Sequence, residues 1–272
     1  MERTCMVLGG HGFAGSALVR EARARGYQVT AVGRAEYDAA KGSRCHLLIN
    51  AAGNSRKYLA QSDPPLDFDQ SVASVLHSLL HFKANRYMLL SSVDVYPGVA
   101  DPARNREDRP IDPARISPYG LHKHLAELLV RHHFPQALIL RLGGMVGAGL
   151  WKGPVFDLLT GAPLRVHPDS TYAYVNTRDM ASIAFDLLDR EITSETLNVA
   201  GRGVISVREL AGCIPGARLP EDVAHLSVER YDINTRALAN YVPVPATRDV
   251  IDGFLADLAH HRVKIGKAGA PS

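Results

Sequence analysis

Tyr119 and Lys123 stand four residues apart in the segment Ser117-Pro118-Tyr119-Gly120-Leu121-His122-Lys123. On a helix, that spacing puts a phenol and an ammonium on one face. A cation beside a tyrosine favours the phenolate and lowers a pKa that is otherwise roughly 10. The pair can therefore move a proton near neutral pH. By itself the spacing also describes an ordinary solvated helix face. A second element narrows the reading, because residues 86–91 form an apolar run that leads into Ser91 and Ser92. Ligands collect at the carboxyl ends of parallel strands. Ser92 would there hydrogen-bond a carbonyl or hydroxyl and turn it toward Tyr119; its bland alternative is a turn cap. Ser92, Tyr119 and Lys123 are the candidate catalytic set, and Lys123 and Tyr119 would also touch the ribose side of a cofactor.

A cofactor site precedes them. Gly9-Gly10-His11-Gly12-Phe13-Ala14-Gly15 follows an apolar strand over 4–8 and opens a helix over 16–25. Gly9 permits the tight turn, Gly12 lets the backbone approach a pyrophosphate, and Gly15 lets helix and strand pack closely. The helix N-terminus offers free N–H groups to that diphosphate. No Lys-Ser or Lys-Thr pair follows, so the loop is not of the NTPase kind. The second strand, over 28–32, runs into Gly33-Arg34. Arg34 would clamp a 2′-phosphate with its planar fork and Gly33 leaves room for it, so NADP(H) is favoured and NAD(H) is the alternative.

These residues need a scaffold of alternating strands and helices. Apolar runs predict further strands over 46–51, 86–91 and 136–142, and 3.6-residue spacing predicts helices over 69–83, 117–133 and 180–189. The expected fold class is α/β, a Rossmann-like doubly wound parallel sheet with a small interleaved substrate-binding region. Residues 1–142 are the expected NAD(P)-binding part. Residues 143–272 hold mostly the smaller region, with 177–200 returning to the sheet. Residues 263–272 read as a frayed tail.

The chain has 272 residues, 46% hydrophobic and 22% charged, with a net charge of +3. Its basic residues do not alternate with aromatics, so no nucleic-acid partner is expected. No run reaches the roughly 18 apolar residues of a membrane span, and the strand so near Met1 leaves no room for a signal peptide. Cys5, Cys45 and Cys213 are too scattered for a disulfide framework or a zinc site. His77 and His81 lack a third ligand, so no metal is expected. A reducing, cytoplasmic setting follows.

With these motifs in hand, the chain resembles the extended short-chain dehydrogenase/reductase family, the group of nucleotide-sugar epimerases, dehydratases and reductases. The resemblance rests on GGHGFAG at 9–15, LLSSVDVY at 89–96, SPYGLHK at 117–123, LRLGGMVG at 140–147, YAYVNTRDMA at 172–181 and LNVAGRGVISVREL at 197–210. It implies that Phe13 and Ala14 lie beside the diphosphate and that Ala51, Ala52 and Gly53 line the cofactor. It also implies that Leu142, Gly143 and Met145 pass the nicotinamide, and that Val175 to Asp179 lie near the substrate region. The relay is carried over onto Ser92, Tyr119 and Lys123. A homodimer built on the helices over 69–83 and 117–133 is implied as well.

The departures carry information. One βα element after strand two is missing or collapsed. Family dehydratases follow the Ser/Thr with Asp-Glu, whereas Val93 and Asp94 stand here, which disfavours dehydration. A ketoreductase acting on a nucleotide-activated deoxysugar is the expected function, with Arg165, Arg178 and Arg236 as candidates for its diphosphate. A 4-epimerase with retained NAD and a non-catalytic NADP-binding regulatory protein are the alternatives.

Overall fold

The computed structural model describes residues 3–266. The chain begins with β1 (Thr4–Leu8), the glycine loop, α1 (Phe13–Ala24) and β2 (Gln28–Val32). Gly26, at φ 78°, closes α1 in the left-handed region, as its position after the helix suggests. Where a full βα unit was missing from the sequence, the only element is α2 (Tyr37–Ala40), a single turn leading to β3 (Arg44–Asn50).

Two short helices, α3 (Leu59–Ser62) and α4 (Pro64–Phe68), come next. The helix expected over 69–83 is a π-helical turn over Asp69–Ala73 followed by α5 (Ser74–His81), and it stops short because Lys83 already belongs to the next strand. Asp63 starts α4 by accepting from the Leu66 N–H, with Pro64 in the first turn. Then come β4 (Lys83–Ser92), α6 (Pro118–His133) and β5 (Leu138–Leu142). Ser117 caps α6 by accepting from the Gly120 N–H, and Pro118 fits the first turn because its missing N–H needs no partner there.

The remainder supplies β6 (Gly144–Val146), α7 (Pro154–Thr160), β7 (Thr171–Tyr172), β8 (Tyr174–Asn176), α8 (Thr177–Asp189) and β9 (Thr196–Val199). It closes with β10 (Ile205–Ser206), α9 (Val207–Cys213), β11 (Arg230–Tyr231), α10 (Arg236–Ala239) and α11 (Thr247–Ala259). Six strands form one parallel sheet in the order β2-β1-β3-β4-β5-β9. The chain is thus a Rossmann-like α/β fold with a central parallel sheet.

One apolar layer joins Val7, Leu18 and Ala22 to Ile183 and Phe185, so α1 and α8 cover one face. The opposite layer holds Leu48, Val75, Tyr87 and Val130 under α5 and α6. Strand β2 alternates between exposed and half-buried positions up to a buried Val32, because it is a sheet edge. Two small sheets, β10-β7-β11 and β6-β8, pack with α7, α9 and α11 around a second cluster that includes Tyr172, Tyr174, Ile205 and Phe254. The expected frayed tail is ordered where it is described. The Gly149 N–H donates to Lys264 O and the Gly266 N–H to Leu150 O, each at 2.7 Å. Residues 267–272 lie outside the described residues. Among the described residues no helix is long and apolar enough to cross a membrane.

Candidate active site

The glycine loop leaves β1 and turns under the end of β3. A Cβ on Gly9 would sit 2.7 Å from Ala51 O, and one on Gly15 would sit 2.0 Å from Gly9 O. Only hydrogen at these positions lets the loop lie flat against the next strand. Gly12 caps α1 without a side-chain hydrogen bond, and the first turn of α1 holds no acid. The Gly12 N–H donates to Gly9 O at 2.9 Å, which leaves the N–H groups of Phe13, Ala14 and Gly15 for an anion and fits a dinucleotide diphosphate. Ala51 and Ala52 lie alongside, anchored by the Ala51 N–H to Leu8 O at 2.9 Å and the Ala52 N–H to Asn50 Oδ1 at 3.1 Å.

A carboxylate from the turn after β2 folds back onto the strand's end. Glu36 Oε2 accepts from the Gly33 N–H at 2.8 Å and lies 3.8 Å from His11 Nε2. Arg34 is exposed beside it.

Strand β4 and helix α6 bring the relay residues together. Ser92, Tyr119 and Lys123 are all buried, at 8%, 7% and 7% exposure. The close approach depends on Gly120, where a Cβ would lie 2.1 Å from Asp94 O. The Tyr119 hydroxyl donates to Asn54 O at 3.2 Å. Lys123 Nζ lies 5.5 Å from the centre of the Tyr119 ring, and a Cβ on Gly53 would come within 2.4 Å of that Nζ. Leu142 is buried at the end of β5. Gly143 packs against Ala200, and Met145 is half-buried in β6.

Three residues of this centre gave no clear signal in the sequence. Asp94 accepts from Ser92 Oγ at 2.8 Å on one oxygen, and from Lys57 Nζ and Tyr231 OH, each at 2.8 Å, on the other. Lys57 also donates to Tyr231 OH at 2.8 Å. Asn54 is held by Asp67, which is fully buried, accepts from Asn54 Nδ2 at 2.6 Å and lies 2.6 Å from His122 Nδ1. Asp94 follows Ser92 closely enough to be suspected. Lys57 and Tyr231 come from segments with no spacing relation to the motifs, so only the fold places them.

The electrostatics differ from the sequence expectation. Burial pushes the Tyr119 phenol up, Asp94 and Asp67 push it further, and Lys57 and the Ser92 hydrogen bond only partly oppose them. Lys57 is the cation that most opposes this rise. Burial lowers Lys123 to about 8, against the pull of Asp67, Asp94 and Glu127. In the cofactor-free protein, Tyr119 is therefore a protonated acid and Lys123 a cation that titrates just above neutrality.

Behind the relay, Arg141 donates twice to Glu127, at 2.9 and 2.6 Å, and once to Tyr96 OH at 2.7 Å. Ser91 donates to Glu127 at 2.6 Å, and Tyr96 donates to Asn198 Oδ1 at 2.9 Å. This buried, satisfied network ties α6 to β4, β5 and β9.

The arginines considered for a substrate diphosphate are not gathered here. Arg178 pairs with Asp179 and Asp257 at 3.6 and 3.7 Å, and Arg165 is exposed near Asp157. Arg236 borders a surface cavity of about 780 Å³ that includes Arg109, Arg131 and His124 but neither Tyr119 nor Ser92. His77 and His81 stack at 5.2 Å, and the described residues contain no group of three or more side chains fit to hold a metal.

Comparison with known proteins follows the geometry. The model of the NAD dependent epimerase/dehydratase family matches residues 5–200. A dTDP-4-dehydro-6-deoxy-D-allose reductase of Streptomyces sp is 26% identical over 262 residues, spanning 78% of this chain and 80% of that protein. The crystal structure of a UDP-galactose 4-epimerase shares the fold with a TM-score of 0.78 at 22% identity, covering 95% of this chain and 99% of that one. A dTDP-4-dehydrorhamnose reductase from Bacillus anthracis str. Ames in complex with NADP gives a TM-score of 0.71 at 16% identity, covering 94% of this chain and 99% of that one.

Proposed function

The chain belongs to the NAD dependent epimerase/dehydratase family, and from that premise we propose that it reduces the 4-keto group of a nucleotide-activated deoxysugar. As a member it is an NAD(P)-dependent enzyme of the group that holds reductases, epimerases and dehydratases. The observation that carries the reductase reading is the protonated, buried Tyr119 phenol beside Ser92. Reduction of a carbonyl needs a proton donor at the oxygen and a hydride at the carbon, and the dinucleotide, when bound, supplies the hydride. Tyr119 donates its proton to the nascent alkoxide. Ser92 turns its hydroxyl from Asp94 to the carbonyl oxygen and holds it toward Tyr119. Asp94 stays compensated by Lys57 and Tyr231 while Ser92 is away. Lys57 and Lys123 stabilise the phenolate left behind. Val93 is buried and offers no proton, so water elimination has no acid at that position. Tyr119→Phe should lower kcat about 100- to 10,000-fold, the usual contribution of a positioned acid, and leave NADPH affinity unchanged. Full activity in that variant would end the reading.

The preferred cofactor in this proposal is NADP(H), with Arg34 on the 2′-phosphate. Glu36 on the Gly33 N–H supports a second reading, NAD(H), because a carboxylate there accepts from a ribose 2′-hydroxyl and repels a phosphate. Kd values for NADPH and NADH with wild type and Glu36→Gln decide between them. A wild-type preference for NADH that Glu36→Gln reverses selects NAD(H).

A cytoplasmic location accords with the three free thiols, Cys5, Cys45 and Cys213. A homodimer is supported by Leu80 on α5 and Leu128 on α6, which are 61% and 47% exposed. Sedimentation at micromolar protein tests it.

A further inference from the structure

The segment after β3 carries two adjacent positive charges, Arg56 and Lys57, beside the relay. Asn54 O accepts from Tyr119, Lys57 is bound to Asp94 and Tyr231, and Arg56 lies between. The second cluster of the fold brings another pair of residues against it. Lys152 Nζ donates to Ser55 O and, at 3.0 Å, to Ser55 Oγ. Two cations approach the Trp151 indole, the Arg56 guanidinium at 5.8 Å and the Lys152 ammonium at 5.0 Å from its ring centre.

The charge balance of this rim is incomplete. Lys57 has Asp94. Arg56 and Lys152 have no carboxylate within ion-pair distance among the described residues, and Lys152 is held only by neutral oxygens. Lys152 also faces Lys57, Arg56 and Lys123, with Asp94 as the opposing charge. Burial and these cations lower the Lys152 ammonium to about 8. Packing like charges this close is unfavourable unless an anion enters between them. The cofactor diphosphate already has the acid-free first turn of α1. The rim therefore faces a second anion, on the side of the relay reached through Asn54, Asp94 and Tyr231.

We propose that Arg56 and Lys152, both beside the Trp151 indole, grip the diphosphate of the nucleotide-activated substrate. The guanidinium offers two parallel N–H donors to one phosphate and the ammonium a point charge to the other. The indole is a flat apolar wall for the sugar or base next to them. Lys57, locked to Asp94 and Tyr231, closes the wall between this grip and Ser92. The proposal rests on the nucleotide-sugar reading above, but not on the direction of hydride transfer.

Trp151 is the chain's one tryptophan, so the protein carries its own reporter. The test titrates the NADP-loaded protein with dTDP, inorganic pyrophosphate, dTMP and thymidine, following tryptophan emission and, in parallel, binding heat. Saturable binding is expected for dTDP, about 10-fold weaker for dTMP, and none for thymidine. Arg56→Ala and Lys152→Ala should each weaken dTDP at least 10-fold, and Lys152→Arg should restore it within threefold. NADPH affinity should stay within threefold of wild type in all variants. Three results overturn the grip. These are no dTDP binding to the wild type, dTDP affinity unchanged in both alanine variants, and an equal loss of NADPH affinity, which would assign the pair to the cofactor. If dTDP binds as described while no keto sugar is reduced, the grip stands and the reductase reading fails.

Discussion

Gly120→Ala is the sharpest test of how the relay is held together. The added methyl would lie 2.1 Å from Asp94 O and 3.0 Å from its carbonyl carbon, both backbone atoms that cannot rotate away. To reach ordinary contact, the first turn of α6 must part from the turn after β4 by about 1.3 Å, and displacements near 1 Å cost on the order of 100-fold in rate. Tyr119 moves with α6, and Ser92 stays with β4. The expected fall in kcat is about 100-fold, roughly 2.7 kcal/mol of barrier. Overpacking should also lower stability by about 1–3 kcal/mol. The assay is NADPH oxidation with a dTDP-4-keto-6-deoxyhexose, with NADPH affinity measured separately. Affinity should change less than threefold, because the Gly9–Gly15 loop lies on another strand. A kcat within threefold of wild type would show that this contact does not set the Ser92–Tyr119 geometry.

Other outcomes follow from the same structure. Lys123 titrates at about 8 in the free protein, below its unfolded value, so it is charged below that pH and neutral above it. NADPH affinity should therefore fall as pH rises through about 8, and Lys123→Arg should flatten that limb; an unchanged profile would mean that Lys123 does not bind the cofactor. Arg141→Met leaves the buried Glu127 with only the half-exposed Arg131, at 3.2 Å, as a counter-ion, and urea unfolding should show a loss of about 3 kcal/mol, most of it regained when Glu127→Leu is added. Gly253 lies inside α11 with open space around its missing Cβ. Gly253→Ala should raise stability by up to about 1 kcal/mol, and a loss in thermal unfolding would contradict the packing described.

The sequence determined the parts whose chemistry is local. Gly9, Gly12 and Gly15 announced a loop and a helix start because only glycine fits such turns. The apolar runs gave the strands, since a parallel sheet covered on both faces needs buried residues along its whole length. Tyr119 and Lys123 were legible because four residues of helix are enough to place them on one face. Tertiary structure alone decided what surrounds them. The partners of Asp94 come from Lys57 and Tyr231, which are 174 residues apart in the chain. Their meeting depends on the smaller lobe folding back over the strand ends. The direction of the Tyr119 shift was misjudged from spacing because burial and the carboxylates of Asp94 and Asp67 outweigh a neighbouring ammonium. The residues of β2 do not show that it forms an edge; only the strand order does, and there Gln28 and Thr30 are exposed while Val32 is buried. Local patterns encode an element and the face it presents. The identity of what meets that face depends on chain closure over long distances, which no spacing rule contains.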